Sequence, residues 1–394
     1  MPTLTHSPTV ALLIETSNAY ARGLLRGIRA YMHEHDSWSV WLGEQRRGES
    51  APSWLANWNG DGIIARIESP EIAKAVKKSQ LPAIDVSAAR YLPEVPYVET
   101  DDKEIARLAF EHLSERGFRN YAYCGDPEFG WSQWRQKYFC RQVEQAGFQC
   151  NVYESKSPTP SAPDWYQERE AVGQWLQSLP KPVGIMAAYD VRGRQLLDIC
   201  RSEGLHVPDE VAVIGVDNDE VLCELADPPL TSVVPDAHRT GYEAAHLLDR
   251  MMRGETLAGG AHLVKPAGIV TRKSTDVFAT EDAEISAAVR FIRENAIRGI
   301  KVADVLAALP LSRRELELRF KKILGRTPHE EIVRIQIDRV KQLLVESSLP
   351  LAVIAHRAGY KHVEYMTVAF KRETGHNPSD YRTAHQNRGG SLPR

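Results

Sequence analysis

Residues 351–382 read LAVIAHRAGYKHVEYMTVAFKRETGHNPSDYR, and this stretch decides how the chain is organised. A short helix from Val353 to Ala358 turns small Ala355 and Ala358 toward a neighbour. Gly359 supplies the turn, and a second helix runs from about His362 to Glu373. Tyr365, Met366, Ala369 and Phe370 recur at the i, i+3/4 spacing of one buried face. Short helix, glycine turn and second helix is the sequence form of a helix-turn-helix, whose second helix can enter a DNA major groove. Any helical hairpin shares this spacing, so the rest of the chain must decide.

The hairpin has a twin. LELRFKKILGRTPHEEI at 316–332 parallels MTVAFKRETGHNPSDYR at 366–382. In both, an apolar residue lies four before Phe-Lys and a Gly-x-x-Pro follows. VADVLAALPLS precedes the first copy, with Ser312 as a natural N-cap. The helix joining the copies, from Pro328 to about Ser347, spans about 30 Å at ~1.5 Å per residue. That is close to the roughly 34 Å between major-groove faces one turn apart. Packing alone does not ask for a duplicated hairpin at that separation; paired DNA readers do.

On the first reader Ser312, Arg313, Arg314 and Glu317 should face outward, with Leu316 and Phe320 in the core. On the second, His362, Val363, Glu364 and Thr367 are the candidate reading residues. Arginine can bridge guanine, Val363 or Thr367 can meet a thymine methyl, and glutamate can accept from cytosine. Lys321, Lys322, Lys371 and Arg372 are expected on phosphates, adding affinity without sequence information.

At 394 residues the chain is too long for one ordinary core. Its 43% hydrophobic and 26% charged residues are those of a soluble globular protein. Net charge is only −3, yet RRELELRFKK and AFKR both fall in the final quarter. A basic module on a near-neutral carrier suits a double-stranded DNA partner. The five cysteines show no CxxC or metal-ligand spacing, which implies a reducing compartment and no structural zinc. No run approaches the ~18 apolar residues of a membrane span, so a cytoplasmic location and no membrane partner are expected.

The front of the chain alternates strand and helix: TVALLI, YARGLLRGIRAYMH, WSVWL, GDGIIARI, IAKAVKKS, PAIDVS, then a helix from Lys103 to Arg116 that Asp101 or Asp102 can cap. The pattern restarts at NYAYCG and continues to EVAVIGVDN, the helix HRTGYEAAHLLDRMMRG and the closing run HLVKPAGIVTRKST. Two successive α/β halves imply two lobes with a ligand cleft between them. From about Thr280 strands disappear. There is no GxGxxG after the first strand, no GxSxG, no P-loop and no HExxH. An enzyme is therefore disfavoured, and no cofactor or metal is expected.

The tail, on Ile354 through Gly359, Phe370, Gly375, Pro378, Tyr381 and Arg382, resembles the AraC/XylS-type DNA-binding domain. One departure is Leu306, where that family usually has alanine. The front, on RGLLRGI at 22–28, DGIIA at 61–65, VIGVDNDE at 213–220 and PPLTSV at 228–233, resembles the LacI/periplasmic sugar-binding fold. Together they imply a two-lobed α/β periplasmic-binding-protein-like (type I) sensor over 1–275 and a junction at 276–283. An all-α domain with two helix-turn-helices follows over 284–384, and a disordered tail over 385–394.

Sugar hydroxyls need short fixed donors and acceptors, and sugar rings favour an aromatic wall. Strand ends supply Glu15, Tyr20, Arg66 and Asp85 in the first lobe. The second offers Trp131, Trp134, Arg135, Asp190, Asp217 and Asn218. The resemblance implies that Arg135 and Asp217 hold sugar hydroxyls, with Asp190 at a third cleft position. It further implies a pentose effector (D-xylose first), a homodimer on DNA half-sites, and RNA polymerase as partner if the protein activates. Another sugar, repression, or a degenerate cleft that senses a protein partner are the alternatives.

Overall fold

A computed structural model of the chain describes residues 7–35, 37–43, 52–153, 165–277, 282–347 and 349–386. The chain divides into two compact units, residues 1–277 and 278–394. Part of the expected junction, 278–281, and nearly all of the expected disordered tail, 387–394, lie outside the described residues.

The first unit runs β1 (Thr9–Leu13), α1 (Ala19–Glu34), β2 (Ser39–Leu42), β3 (Gly62–Ala65), α2 (Pro70–Ser79), β4 (Ala83–Asp85), β5 (Tyr97–Thr100), α3 (Asp102–Glu115), β6 (Asn120–Cys124), α4 (Gly130–Gln145) and β7 (Cys150–Tyr153). It continues α5 (Trp165–Ser178), β8 (Val183–Ala187), α6 (Asp190–Ser202), β9 (Val211–Val216), α7 (Glu220–Leu225), β10 (Thr231–Val234), α8 (Ala237–Met252), β11 (Ala261–Val264) and β12 (Gly268–Val270). These strands build two sheets, ordered β11-β5-β4-β3-β1-β2 and β12-β10-β9-β8-β6-β7. The first is parallel throughout, and only β12 runs antiparallel in the second. Central strands such as β3 and β9 are apolar on both faces because helices cover both sides.

The lobes are not the two successive halves that the repeating pattern suggests. Helix α3 follows a first-lobe strand but packs on α4 in the second lobe. The chain then returns: α8 packs along α1, and Ala261 of β11 pairs with Tyr97 of β5. Three crossings therefore join the lobes, after β5, after β10 and between β11 and β12. Local periodicity identifies an element but not the sheet that its apolar face completes. The α1–α8 contact depends on glycine. A Cβ on Gly27 would lie 1.9 Å from the His238 carbonyl oxygen, and one on Gly241 2.0 Å from that of Leu24. The two backbones touch there, beside buried Leu24, Ile28, Leu247 and Leu248.

In the second unit α9 (Ala283–Asn295), α10 (Val302–Ala307), α11 (Arg313–Leu324), α12 (Pro328–Glu346), α13 (Leu351–Arg357), α14 (Val363–Thr374) and α15 (Pro378–Gln386) follow. Two apolar cores form, one around Leu316 and Phe320, the other around Met366 and Phe370. Helix α12 joins both, giving Ile332 to the first and Ile337, Val340 and Leu344 to the second. Leu306 packs half-buried against the first core. Both reader helices end on a left-handed glycine, Gly325 (φ 71°) and Gly375 (φ 76°). Tyr365, expected on the buried face of α14, is 69% exposed; Met366, Ala369 and Phe370 fill that face without it.

Candidate effector cleft and DNA-reading surface

Between the lobes a cavity is lined by Tyr20, Arg66, Val86, Ser87, Ala88, Glu99, Thr100, Asp102, Trp131, Arg135 and Asp217. The space it encloses is about 40 Å³, enough for a few waters.

Arg135, on the first turns of α4, is the centre of the second-lobe side. Its Nε donates to Asp102 Oδ1 at 2.8 Å and its Nη1 to the Ala188 carbonyl at 2.6 Å. Asp217 Oδ1 stands 4.0 Å from Nη1, and the guanidinium lies 5.1 Å over the Trp131 ring. Burial works against the charge of Arg135, but Asp102 and Asp217 outweigh it and raise its pKa. Across the cavity Arg66 Nη1 donates to Glu15 Oε1 at 2.7 Å, and Glu68 takes the other Nη. Burial again opposes that charge, and Glu68 and Glu15 hold it. Tyr20 Oη shares a 3.2 Å hydrogen bond with Thr100 Oγ1.

Asp217 owes its place to the backbone. It has φ 105° and Asn218 φ 46°, a region that favours glycine and needs support from its surroundings. Asp190 gives that support. Its Oδ2 accepts from the Asp219 amide at 2.7 Å and its Oδ1 from the Ser232 hydroxyl at 2.6 Å. Ser232 Oγ in turn accepts the Asn218 amide at 3.0 Å. Burial, then Asp217 nearby, pushes the Asp190 carboxyl up to about 8.

Of the ten cleft residues expected from sequence, the structure gathers Tyr20, Arg66, Trp131, Arg135 and Asp217 on the cavity wall. The other five stand behind it. Glu15 orients Arg66, and Asp190 and Asn218 belong to the turn that presents Asp217. Asp85 accepts from the Ile67 and Ser87 amides at 3.2 and 2.8 Å, and burial pushes it up to about 7. Trp134 donates from Nε1 to the Ala88 carbonyl at 3.2 Å, a hydrogen bond from one lobe to the other.

Sequence reading missed Ser87, Glu99, Thr100 and Asp102 on the cavity wall. By sequence Asp101 or Asp102 can cap α3. Asp101 does the capping, accepting from the Lys103 and Glu104 amides at 3.1 and 3.2 Å, which leaves Asp102 to Arg135. Glu99 pairs with Arg90, and burial pushes its carboxyl up to about 7. With two arginines, three acids, three hydroxyl side chains and one indole, the wall suits a small polyhydroxylated ring.

The other surface lies on α11 and α14. Ser312 and Glu315 form a capping box that starts α11. Arg313, Arg314, Glu317, Lys321 and Lys322 are exposed, and Arg313 pairs with Glu317 at 2.9 Å. On α14 His362, Glu364, Lys371 and Arg372 are exposed. Val363 and Thr367 are half-buried, and the Thr367 hydroxyl donates to the Val363 carbonyl at 2.9 Å. They sit on the shoulder of the helix, not its outward crest.

Known proteins resemble both parts of the chain. Residues 9–103 match the XylR N-terminal domain, 110–275 a periplasmic binding protein-like domain, and 305–384 a helix-turn-helix domain. The chain is 32% identical over 381 residues to the xylose operon regulatory protein of Escherichia coli K12, covering 95% of this chain and 96% of that one. It is 30% identical over 381 residues to that of Haemophilus influenzae, covering 95% and 97%. A solved structure of the xylose-binding transcription activator xylR superposes with TM-score 0.79 at 31% identity, covering 97% of this chain and all of that one. The chain therefore belongs to the family of xylose operon regulatory proteins, transcription regulators that join a periplasmic-binding-protein-like sensor to a helix-turn-helix domain.

Proposed function

We propose that this protein is a transcription activator of pentose catabolic genes, with D-xylose as effector. It works as a homodimer whose paired readers occupy two DNA half-sites, and it recruits RNA polymerase there. The observation that carries the effector reading is the Arg135–Asp102–Asp217 cluster beside Trp131 in the interlobe cavity. Charged donors and acceptors hold hydroxyls in orientation, and the indole takes the apolar ring face.

D-Xylose acts through differential affinity for the lobe arrangement that surrounds it, the only way a ligand can shift a conformational balance. The sugar named by the related proteins supports D-xylose over other pentoses. Calorimetry with D-xylose, L-arabinose, D-ribose and D-glucose tests the effector. Heat with D-xylose and none with the other three is expected; no heat with any of them contradicts the reading.

A further inference from the structure

Leu318 and Val368 occupy the same place in the two reader helices. Each lies two residues before the buried phenylalanine, Phe320 or Phe370, and two after the other buried anchor, Leu316 or Met366. At about 100° per residue, that position points directly away from the core. Leu318 is 70% exposed and Val368 69%.

A single exposed aliphatic needs no explanation. Here the same exposure occurs twice, at the same register, in the same charged frame. One turn back from each stands an exposed polar side chain, Arg314 or Glu364. One turn ahead stand two exposed cations, Lys321 and Lys322 or Lys371 and Arg372. Cations at that end of a reader helix suit the phosphate walls of a groove. An aliphatic crest between them then faces base edges, where the apolar feature of the major groove is the thymine C5-methyl.

We infer that Leu318 and Val368 are a matched pair of thymine-methyl readers, one in each DNA element the protein recognises. The inference rests on the DNA-reading role proposed above and adds which base each reader selects and through which atom. It moves methyl recognition away from Val363 and Thr367, whose half-buried positions keep them off the crest.

The test uses the full-length protein with D-xylose and a duplex that it selects from a randomised DNA pool. Deoxyuridine replaces thymine at single positions, removing one methyl and nothing else. Loss of one buried methyl is expected to weaken binding roughly fourfold at one thymine in each element. Leu318→Ala should abolish that penalty in one element only, and Val368→Ala in the other. Both side chains are exposed, so neither substitution threatens folding. Deoxyuridine without effect, selected elements that lack thymine, or variants that keep the full penalty would overturn the pair. Failure to select any duplex would overturn the DNA-reading role itself, and the pair with it.

Discussion

Arg135 Nε donates to Asp102 Oδ1 at 2.8 Å while its Nη1 stands 4.0 Å from Asp217 Oδ1. One acid is committed to the arginine and the other is within reach but not closed upon it. Asp102 therefore holds the guanidinium, and we propose that Asp217, on the cavity wall, accepts from a ligand hydroxyl. Asp217→Asn keeps the shape and removes the charge. We expect sugar binding to weaken at least about tenfold, the loss of a charge-assisted hydrogen bond of roughly 1.5–3 kcal/mol, with little change in melting temperature. Arg135→Ala strands buried Asp102 and should destabilise the sensor by about 3–5 kcal/mol. Calorimetry and thermal melts separate the two outcomes.

Trp134 does not itself line the cavity, but its Nε1 donates to the carbonyl of a wall residue, Ala88, across the lobes at 3.2 Å. Arg22 and Asp219 face each other across the same divide at 3.8 Å. Trp134→Phe keeps the ring and deletes the hydrogen bond. A sugar that favours this lobe arrangement should then bind several-fold more weakly, the equivalent of about 1 kcal/mol. Unchanged affinity in a titration would mean that the bond does not contribute to closure.

The two ends of α3 meet different parts of the sensor. Its first residue, Asp102, holds Arg135, while His112 Nε2 lies 2.7 Å from Thr275 Oγ1 and Arg116 donates to the Thr275 carbonyl at 2.9 Å. Burial, with Arg116 nearby, pushes the His112 imidazole down to about 3, against about 6.5 when unfolded. The unfolded chain thus binds more protons between these values, so stability falls as pH drops from about 6.5 toward 3. The slope from this group approaches about 1.4 kcal/mol per pH unit. His112→Gln should remove this component from melting curves taken at pH 7, 6 and 5.

Gly359 (φ 85°) and Gly375 (φ 76°) share a left-handed backbone but not a setting. A Cβ on Gly359 would lie 2.7 Å from the Ala296 carbonyl oxygen, 2.8 Å from the Gly299 amide nitrogen and 2.9 Å from Gln336 Nε2. One on Gly375 would meet nothing within 4 Å. Gly375→Ala should cost about 1–2 kcal/mol, the conformational term alone. Gly359→Ala should cost clearly more, since backbone atoms must move as well. Chemical denaturation of the two variants compares them directly.

These cases show which parts were legible in the sequence. The helix-turn-helix pair was, because Phe320 and Phe370, their glycines and their prolines repeat at one register. The places of Arg135 and Asp217 on the cavity wall were, because polar side chains at strand ends and helix starts face clefts. Glu99, Thr100 and Asp102 were not. They sit where the chain crosses between lobes from β5 to α3, and that α3 packs on α4 of the other lobe is a contact that no local pattern records. Tyr365 was misread because a face defined by spacing includes its own edge, and only packing shows which side of the edge is covered.

In the proposed function, sugar in the interlobe cleft controls DNA reading by the second unit. The most direct test is a footprint of the full-length protein on its selected duplex with and without D-xylose, alongside calorimetric proof that the sugar binds. We predict that saturating D-xylose changes the affinity or the pattern of protected half-sites, and that Asp217→Asn shifts this response to higher sugar concentration. Identical footprints with bound and absent sugar would contradict the account.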